Sequence, residues 1–260
     1  MAERYNLMEL MVCVAARQLD DGKTAVIGTG MPLAAAMLAQ KTRSPNLITM
    51  FEAGSVAPQL IKLPLSVADS YTMAGALMLS SMDEIMSACQ RGVVDYTFLG
   101  GAQIDMYGNL NSTMVGTDIQ KPKVRLPGSG GANDLASLCW KTLVITPHDK
   151  RRFVAQVDFV TTPGYLTGPG AREAAGLPPN TGPYKVISPL ALMGYDPASK
   201  RMRVESLHPG VTAQDVRNNT GFEMLFVDPL PPTPEPTDDE LRILRTKVDP
   251  LGLIIGKHSE

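Results

Sequence analysis

Cysteine, histidine, aromatic side chains, net charge and long apolar runs are all scarce in this 260-residue chain, and each scarcity removes a class of protein. The three cysteines, Cys13, Cys89 and Cys139, are odd in number, far apart and set among apolar neighbours. That excludes a disulfide framework and any zinc-ligand spacing, and it predicts reduced core thiols in a cytoplasmic protein. The formal net charge is -2, which leaves no electrostatic footprint for nucleic acid or an anionic membrane. The basic run Lys150-Arg151-Arg152 is three residues long and predicts a local anion or partner contact. No apolar run reaches the roughly 18 residues of a spanning helix. Met1 to Leu10 carries Glu3, Arg4 and Glu9 where a signal peptide would be apolar. The three histidines, His148, His208 and His258, stand outside any Ser or Cys nucleophile motif and are expected to be structural or exposed. Aromatics make up 5% against 15 methionines. Such a composition favours adaptable packing and could also supply a surface for another subunit.

What the chain does hold is enough apolar residue, 44%, for one large α/β domain over 1–260. A helical stripe over 7–20 places Leu7, Leu10, Met11, Val14 and Ala15 on one face. Thr24 to Ile27 is a strand, Leu33 to Gln40 a helix with Pro32 in its first turn, and Leu47 to Phe51 a second strand, together a βαβ unit. Residues 58–70 are irregular, interrupted by Pro58 and Pro64. Ser81 caps a helix that Gly92 ends. Asp95 to Leu99, Thr142 to Pro147 and Phe153 to Val160 are further strands. In the turn 107–111, Gly108 and Asn109 suit positive φ. Residues 161–183 form a long Gly/Pro-rich loop, and long loops in compact domains are often functional. Val186-Ile187 and Met202 to Val204 are antiparallel strands around the turn Asp196-Pro197. Thr212 caps a short helix, a Pro-rich linker runs over 229–236, and Thr237 opens a last helix to Val248.

Glu52 is the first candidate site residue. It follows the apolar run Leu47 to Phe51, where a buried parallel strand ends, and ligands bind beyond the carboxyl ends of such strands. Gly54, two places on, permits a tight path and close approach of a substrate. An ordinary glutamate is ionised at neutral pH and can attack an activated acyl group without a helper base. Pattern alone favours the plainer alternative, a solvated carboxylate capping a strand. Gly28 and Gly30 form a strand–turn–helix junction that suits an anion, although the full dinucleotide fingerprint is missing and a nicotinamide site is not expected. A structural tight turn is the simpler account of it. Gly100, Gly101 and Gln103 follow another strand. Gly128, Gly130, Gly131 and Ala132 lie in the run GSGGAN, where consecutive N–H donors could bind an anion or oxyanion. A mobile surface loop is the alternative.

Several stretches together resemble one family. GTGMPLAAAMLA (28–39), Glu52-Ala53-Gly54, FLGGAQIDMYGNLNST (98–113), GSGGAN (128–133), HDKRRF (148–153), VDFVTTPGYLTGPGAREAAGLP (157–178) and HPGVTAQDVRNNTGF (208–222) are similar to the beta subunit of family I CoA-transferases, most closely the glutaconate type, in the family's order and over nearly the whole chain. The resemblance implies an α/β fold with an open, mainly parallel sheet flanked by helices, antiparallel additions and a C-terminal helix. It implies that Glu52 matches the family's nucleophilic glutamate and that GSGGAN matches the glycine loop near the thioester. It further implies coenzyme A as a substrate with an acyl-CoA and a carboxylic acid, no tightly bound cofactor, no metal, and an alpha-subunit partner in a heterodimer or larger assembly. Two alternatives stay open. One is an acyl-CoA hydrolase or C–C lyase on the same fold, a role that related chains took on after losing the glutamate; its retention here favours transfer. The other is a non-catalytic CoA-binding subunit.

Overall fold

The computed structural model describes residues 4–64, 66 and 69–256; Glu3, His258 and part of the irregular stretch 58–70 lie outside them. The chain forms two compact units, Met1–Phe98 with Pro234–Glu260, and Leu99–Thr233.

In the first unit, α1 (Leu7–Ala16) opens on a reciprocal cap between Asn6 and Glu9. Every residue from Leu10 to Ala16 is buried, as expected of a helix apolar on most faces. It ends earlier than the stripe over 7–20 predicts: after Arg17 the bonds tighten to Gln18 N–H on Ala15 and Leu19 N–H on Ala16, and the Arg17 side chain pairs with Glu240 at 2.6 Å. Strand β1 (Thr24–Val26), helix α2 (Met31–Lys41) and strand β2 (Ile48–Met50) form the expected βαβ unit, with β1 and β2 parallel. Two short strands, β3 (Ser55–Val56) and β4 (Met78–Leu79), add antiparallel to β2 and were not legible in the sequence. Helix α3 (Met82–Gln90) follows Ser81, which holds the cap position without a side-chain cap bond. Strand β5 (Tyr96–Leu99) pairs parallel with β1 on the side away from β2. The order is therefore β5-β1-β2-β3-β4, with a parallel centre.

The second unit begins with two antiparallel pairs, β6 (Gln103–Ile104) with β7 (Leu110–Asn111), and β8 (Met114–Val115) with β9 (Val124–Arg125). Helix α4 (Ala132–Leu138), strand β10 (Lys141–Ile145) and the single-turn helix α5 (Ala171–Ala174) follow. Strands β11 (Pro183–Ile187), β12 (Ala191–Tyr195) and β13 (Met202–Leu207), helix α6 (Ala213–Asn219) and strand β14 (Leu225–Phe226) complete it. β10 and β11 are parallel, β12 is antiparallel to both β11 and β13, and β14 is parallel to β13. One cluster including Ile104, Phe153, Val186, Met193, Met202 and Val216 forms the core.

Several expectations need correcting here. The strands at 186–187 and 202–204 do not pair with each other; β12 stands between them, and the Asp196-Pro197 turn joins β12 to β13. No strand forms over 153–160. Phe153 N–H donates to the Asp149 carbonyl and Val154 N–H to Ile104, while the Phe153 carbonyl takes Gly221 N–H, so no single partner strand collects the bonds. Gly108 has φ +74 as expected, but Asn109 is not in the left-handed region. It is buried, and its amide is bonded to Asp105 and to the 164–166 backbone. Arg151 and Arg152 both reach the Asp149 carboxylate, at 3.7 and 3.5 Å. His148 and His208 are buried and structural: His148 stacks on Phe153 and bonds to Ser188 and Thr220, and His208 bonds to Thr233. All three cysteines are buried and outside any disulfide. Burial, with Glu240 and Glu9 nearby, pushes the Cys13 thiol up to about 12.

The chain leaves the second unit after Thr233 and returns to the first at Pro234. Helix α7 (Asp238–Ile243) has the expected Thr237–Glu240 capping box. It continues as a π-helical turn, Leu244–Val248, closed by Asp249 N–H on the Leu244 carbonyl at 2.8 Å. Arg245 bonds the fully buried Glu9 at 2.6 Å, so this end of the chain is ionically tied to α1. Among the described residues no helix is long and apolar enough to cross a membrane.

Candidate functional site

Glu52 stands in a four-residue turn at the end of β2. Phe51, which leads into it, is fully buried. Gly54 N–H donates to the Phe51 carbonyl and Phe51 N–H to the Ser55 carbonyl, both at 2.9 Å. The turn is pinned from outside by Ser80, whose N–H and hydroxyl both donate to the Gly54 carbonyl, at 2.9 and 3.0 Å. Gly54 has φ +116, and a Cβ there would lie 2.1 Å from the Ser80 carbonyl oxygen. Only glycine fits this conformation in this space. The result is a rigid loop presenting Glu52, which is half-buried. Among the described residues its carboxylate makes no hydrogen bond or ion pair.

The turn at Gly28 and Gly30 lies at the same edge of the first unit. Thr24 pairs with Ile48 and Val26 with Met50. Past the last paired residues, Ile27 N–H still reaches the Met50 carbonyl at 2.9 Å. Gly30 caps α2 with φ +82 and Pro32 follows at the second helical position. Here a Cβ would meet nothing within 4 Å, so the conformation and not crowding calls for glycine.

The other expected residues belong to the second unit. Gly100 follows β5. Gly101 is crowded by the Asn111 and Gln103 carbonyl oxygens, each 3.2 Å from a hypothetical Cβ. Gln103 is buried: its Oε1 accepts from Asn111 Nδ2 and Asp158 N–H, and its Nε2 donates to Asp158 Oδ2. Its amide is thus spent within the unit.

The glycine loop is held at both ends. Gly128 exchanges two bonds with Ser112, N–H to carbonyl and Ser112 hydroxyl to the Gly128 carbonyl, each 2.8 Å. At the far end Gly131 is the N-cap of α4, and Asn133 Nδ2 donates to the Thr161 carbonyl at 2.9 Å. Gly128 and Gly130 have φ +97 and +51. Among the described residues the N–H groups of Ser129, Gly130 and Gly131 make no hydrogen bond, leaving three consecutive donors available to a ligand. Ser80, Ser112 and Thr161 carry much of this construction and were missed in the sequence. Each acts across 16 or more positions, which no local pattern reports. Among the described residues no group of three or more His, Cys, Asp or Glu side chains is placed to hold a metal ion.

Residues 9–219 match the coenzyme A transferase family. The chain is 39% identical over 242 residues to a subunit of 3-oxoadipate CoA-transferase from Pseudomonas knackmussii, covering 93% of this chain and 92% of that one. It is 35% identical over 254 residues to a subunit of glutaconate CoA-transferase from Acidaminococcus fermentans, covering 95% and 93%. The crystal structure of that glutaconate CoA-transferase superposes with a TM-score of 0.92, covering 98% and 99% of the two chains. A cholesterol ring-cleaving hydrolase subunit of Mycobacterium tuberculosis is 33% identical over 232 residues, covering 86% of each. The fold class that the resemblance implies, a mainly parallel sheet with flanking helices and antiparallel additions, is that of the glutaconate enzyme, and the chain belongs to the coenzyme A transferase family.

Proposed function

We propose that this chain is the beta subunit of a CoA-transferase and that Glu52 carries the CoA covalently. The observation that carries the proposal is the Glu52 turn: a carboxylate without a partner among the described residues, on a rigid loop at the exit of a parallel strand. A nucleophile needs that combination of a free lone pair and a fixed position.

The steps balance without an external energy source. A Glu52 carboxylate oxygen attacks the acyl-CoA carbonyl, and the C–S bond breaks to give an acyl–glutamyl anhydride and CoA thiolate. The thiolate attacks the glutamyl carbonyl, releasing the first acid as its carboxylate and leaving a glutamyl-CoA thioester. The second acid's carboxylate attacks that thioester, again giving an anhydride and thiolate. Attack of the thiolate on the new acyl carbonyl forms the product thioester and regenerates Glu52. Each attack puts negative charge on a carbonyl oxygen. Within the second unit, the N–H groups of Ser129, Gly130 and Gly131, without a partner among the described residues, have the character of an oxyanion donor set.

The relatives are themselves subunits of larger enzymes, which supports an alpha-type partner. Met73, Leu77, Met78, Leu79 and Met82 are exposed on and around β4, an edge strand of the first unit, and an apolar edge of this kind is covered in a working assembly.

The test is chemical. The assembled enzyme is incubated with an acyl-CoA without acceptor, reduced with borohydride, digested and mapped by mass. Glu52 should appear as the alcohol. Transfer that proceeds with modification elsewhere, or with none, overturns the proposal. Loss of thioester without any acceptor acid would assign hydrolysis in place of transfer.

A further inference from the structure

The most deeply buried charge in the second unit is Arg172, in α5 of the long Gly/Pro-rich loop. It is 2% exposed. Among the described residues no carboxylate bonds it; its guanidinium donates instead to oxygens from three segments. Nη1 donates to the Pro163 and Gly164 carbonyls at 3.0 and 2.8 Å. Nη2 donates to the Ala136 and Ser137 carbonyls at 3.2 Å each, and to Thr181 Oγ1 at 2.9 Å. Gly182 passes so close that a Cβ there would lie 3.3 Å from the arginine Cδ and Nε. Burial lowers its pKa from the usual value. Holding a cation in such a place is costly, and the planar five-donor fork explains why arginine serves where lysine would not.

What the fork grips is specific. Ala136 and Ser137 lie in the last turn of α4, where carbonyls have no partner in the helix, and a cation there is favourable. The same helix begins at Gly131, directly after the free donors of the glycine loop. The helix has seven residues, so whatever fixes its last turn also fixes its first. The Pro163–Gly164 carbonyls follow Thr161, whose own carbonyl takes Asn133 at the other end of α4. Arg172 and Thr161 therefore hold α4 at both ends on one loop.

We propose that Arg172 is a positioning residue for the donors at 129–131, setting where an acyl oxygen is bound while touching no substrate itself. This rests on the reading of that loop as the donor set for the CoA thioester. The alternative is a staple for the fold alone.

The experiment uses the assembled enzyme with R172K, which keeps the charge and loses the fork, and T181V, a milder change that removes one contact. The wild type is first trapped at Glu52 as above; no adduct there sinks the functional reading and is recognised separately. The positioning role predicts that folded R172K loses about tenfold or more in kcat at nearly constant KM, since a small misplacement near reacting atoms costs up to about 10². It also predicts faster amide hydrogen exchange over 128–133, with exchange over 24–52 unchanged. T181V should shift both readouts in the same direction by a smaller factor, and it decides the matter where R172K does not fold. Wild-type kcat and loop protection in the folded variant, with only a lower Tm, would leave Arg172 a fold staple and overturn the proposal.

Discussion

Gly54 and Ser80 are packed so tightly that a Cβ on Gly54 would lie 2.1 Å from the Ser80 carbonyl oxygen, and two Ser80 donors converge on the Gly54 carbonyl. Gly54→Ala cannot be absorbed by a side-chain shift, because the obstacle is backbone. The turn must rebuild and take Glu52 with it, so turnover should fall by about 10² or more. Gly30→Ala meets no obstacle and carries only the conformational penalty of about 1–3 kcal/mol. Turnover per folded enzyme, with Tm for both variants, checks the contrast; equal effects on turnover would remove the special role of the Gly54 turn.

Glu52→Gln keeps the shape and removes the nucleophile, and turnover should drop by roughly 10³ or more with the fold intact. Glu52→Asp keeps the carboxylate but draws it back by about 1 Å, which should cost on the order of 10². The expected order is Glu, then Asp, then Gln, read from initial rates with an acyl-CoA and an acceptor acid.

The buried Glu9 is neutralised by Arg245 at 2.6 Å. Arg245→Met removes the ion pair that compensates this fully buried carboxylate and should destabilise by about 2–4 kcal/mol. The exposed Lys23–Asp95 pair provides the control: Lys23→Met should cost about 1 kcal/mol or less. Urea midpoints of the two variants, at equal m-value, test the difference.

Burial lowers both His148 and His208 to about 4. Each is neutral when folded and binds a proton more readily when unfolded, near pH 6.5. Below that pH the unfolded state takes up more protons, so stability is full above about pH 6.5 and is lost as pH falls toward 4. The loss should be on the order of 2 kcal/mol per histidine at pH 5. The difference in urea stability between pH 7 and pH 5 should shrink in His208→Gln; an unchanged difference refutes the assignment.

Leu77 and Leu79 are 82% and 62% exposed beside the β4 edge. If that edge meets the alpha subunit, the purified chain alone should be inactive. L77S combined with L79S should then weaken assembly in sedimentation without lowering the Tm of the isolated chain. Full activity from a monomeric 260-residue chain would refute the need for a partner.

The sequence by itself determined the elements whose signal is local. Continuous apolar runs placed β1, β2, β5 and α2, and Thr212 and Thr237 marked helix starts by capping. The order of the motifs along the chain was enough to point to the family. Tertiary structure alone decided the rest. β12 is a strand because β11 and β13 lie on either side of it, although Leu190 to Tyr195 carries a glycine and no clean alternation. The run at 153–160 is not a strand because its backbone groups find partners on several different segments. Gly54 is obligatory because of Ser80, 26 positions away, and Arg172 is buried because five oxygens from 136–137, 163–164 and 181 surround it. Hydrogen-bond partners and excluded volume are properties of distance in space, and a chain read along its length reports them only where space and sequence run together.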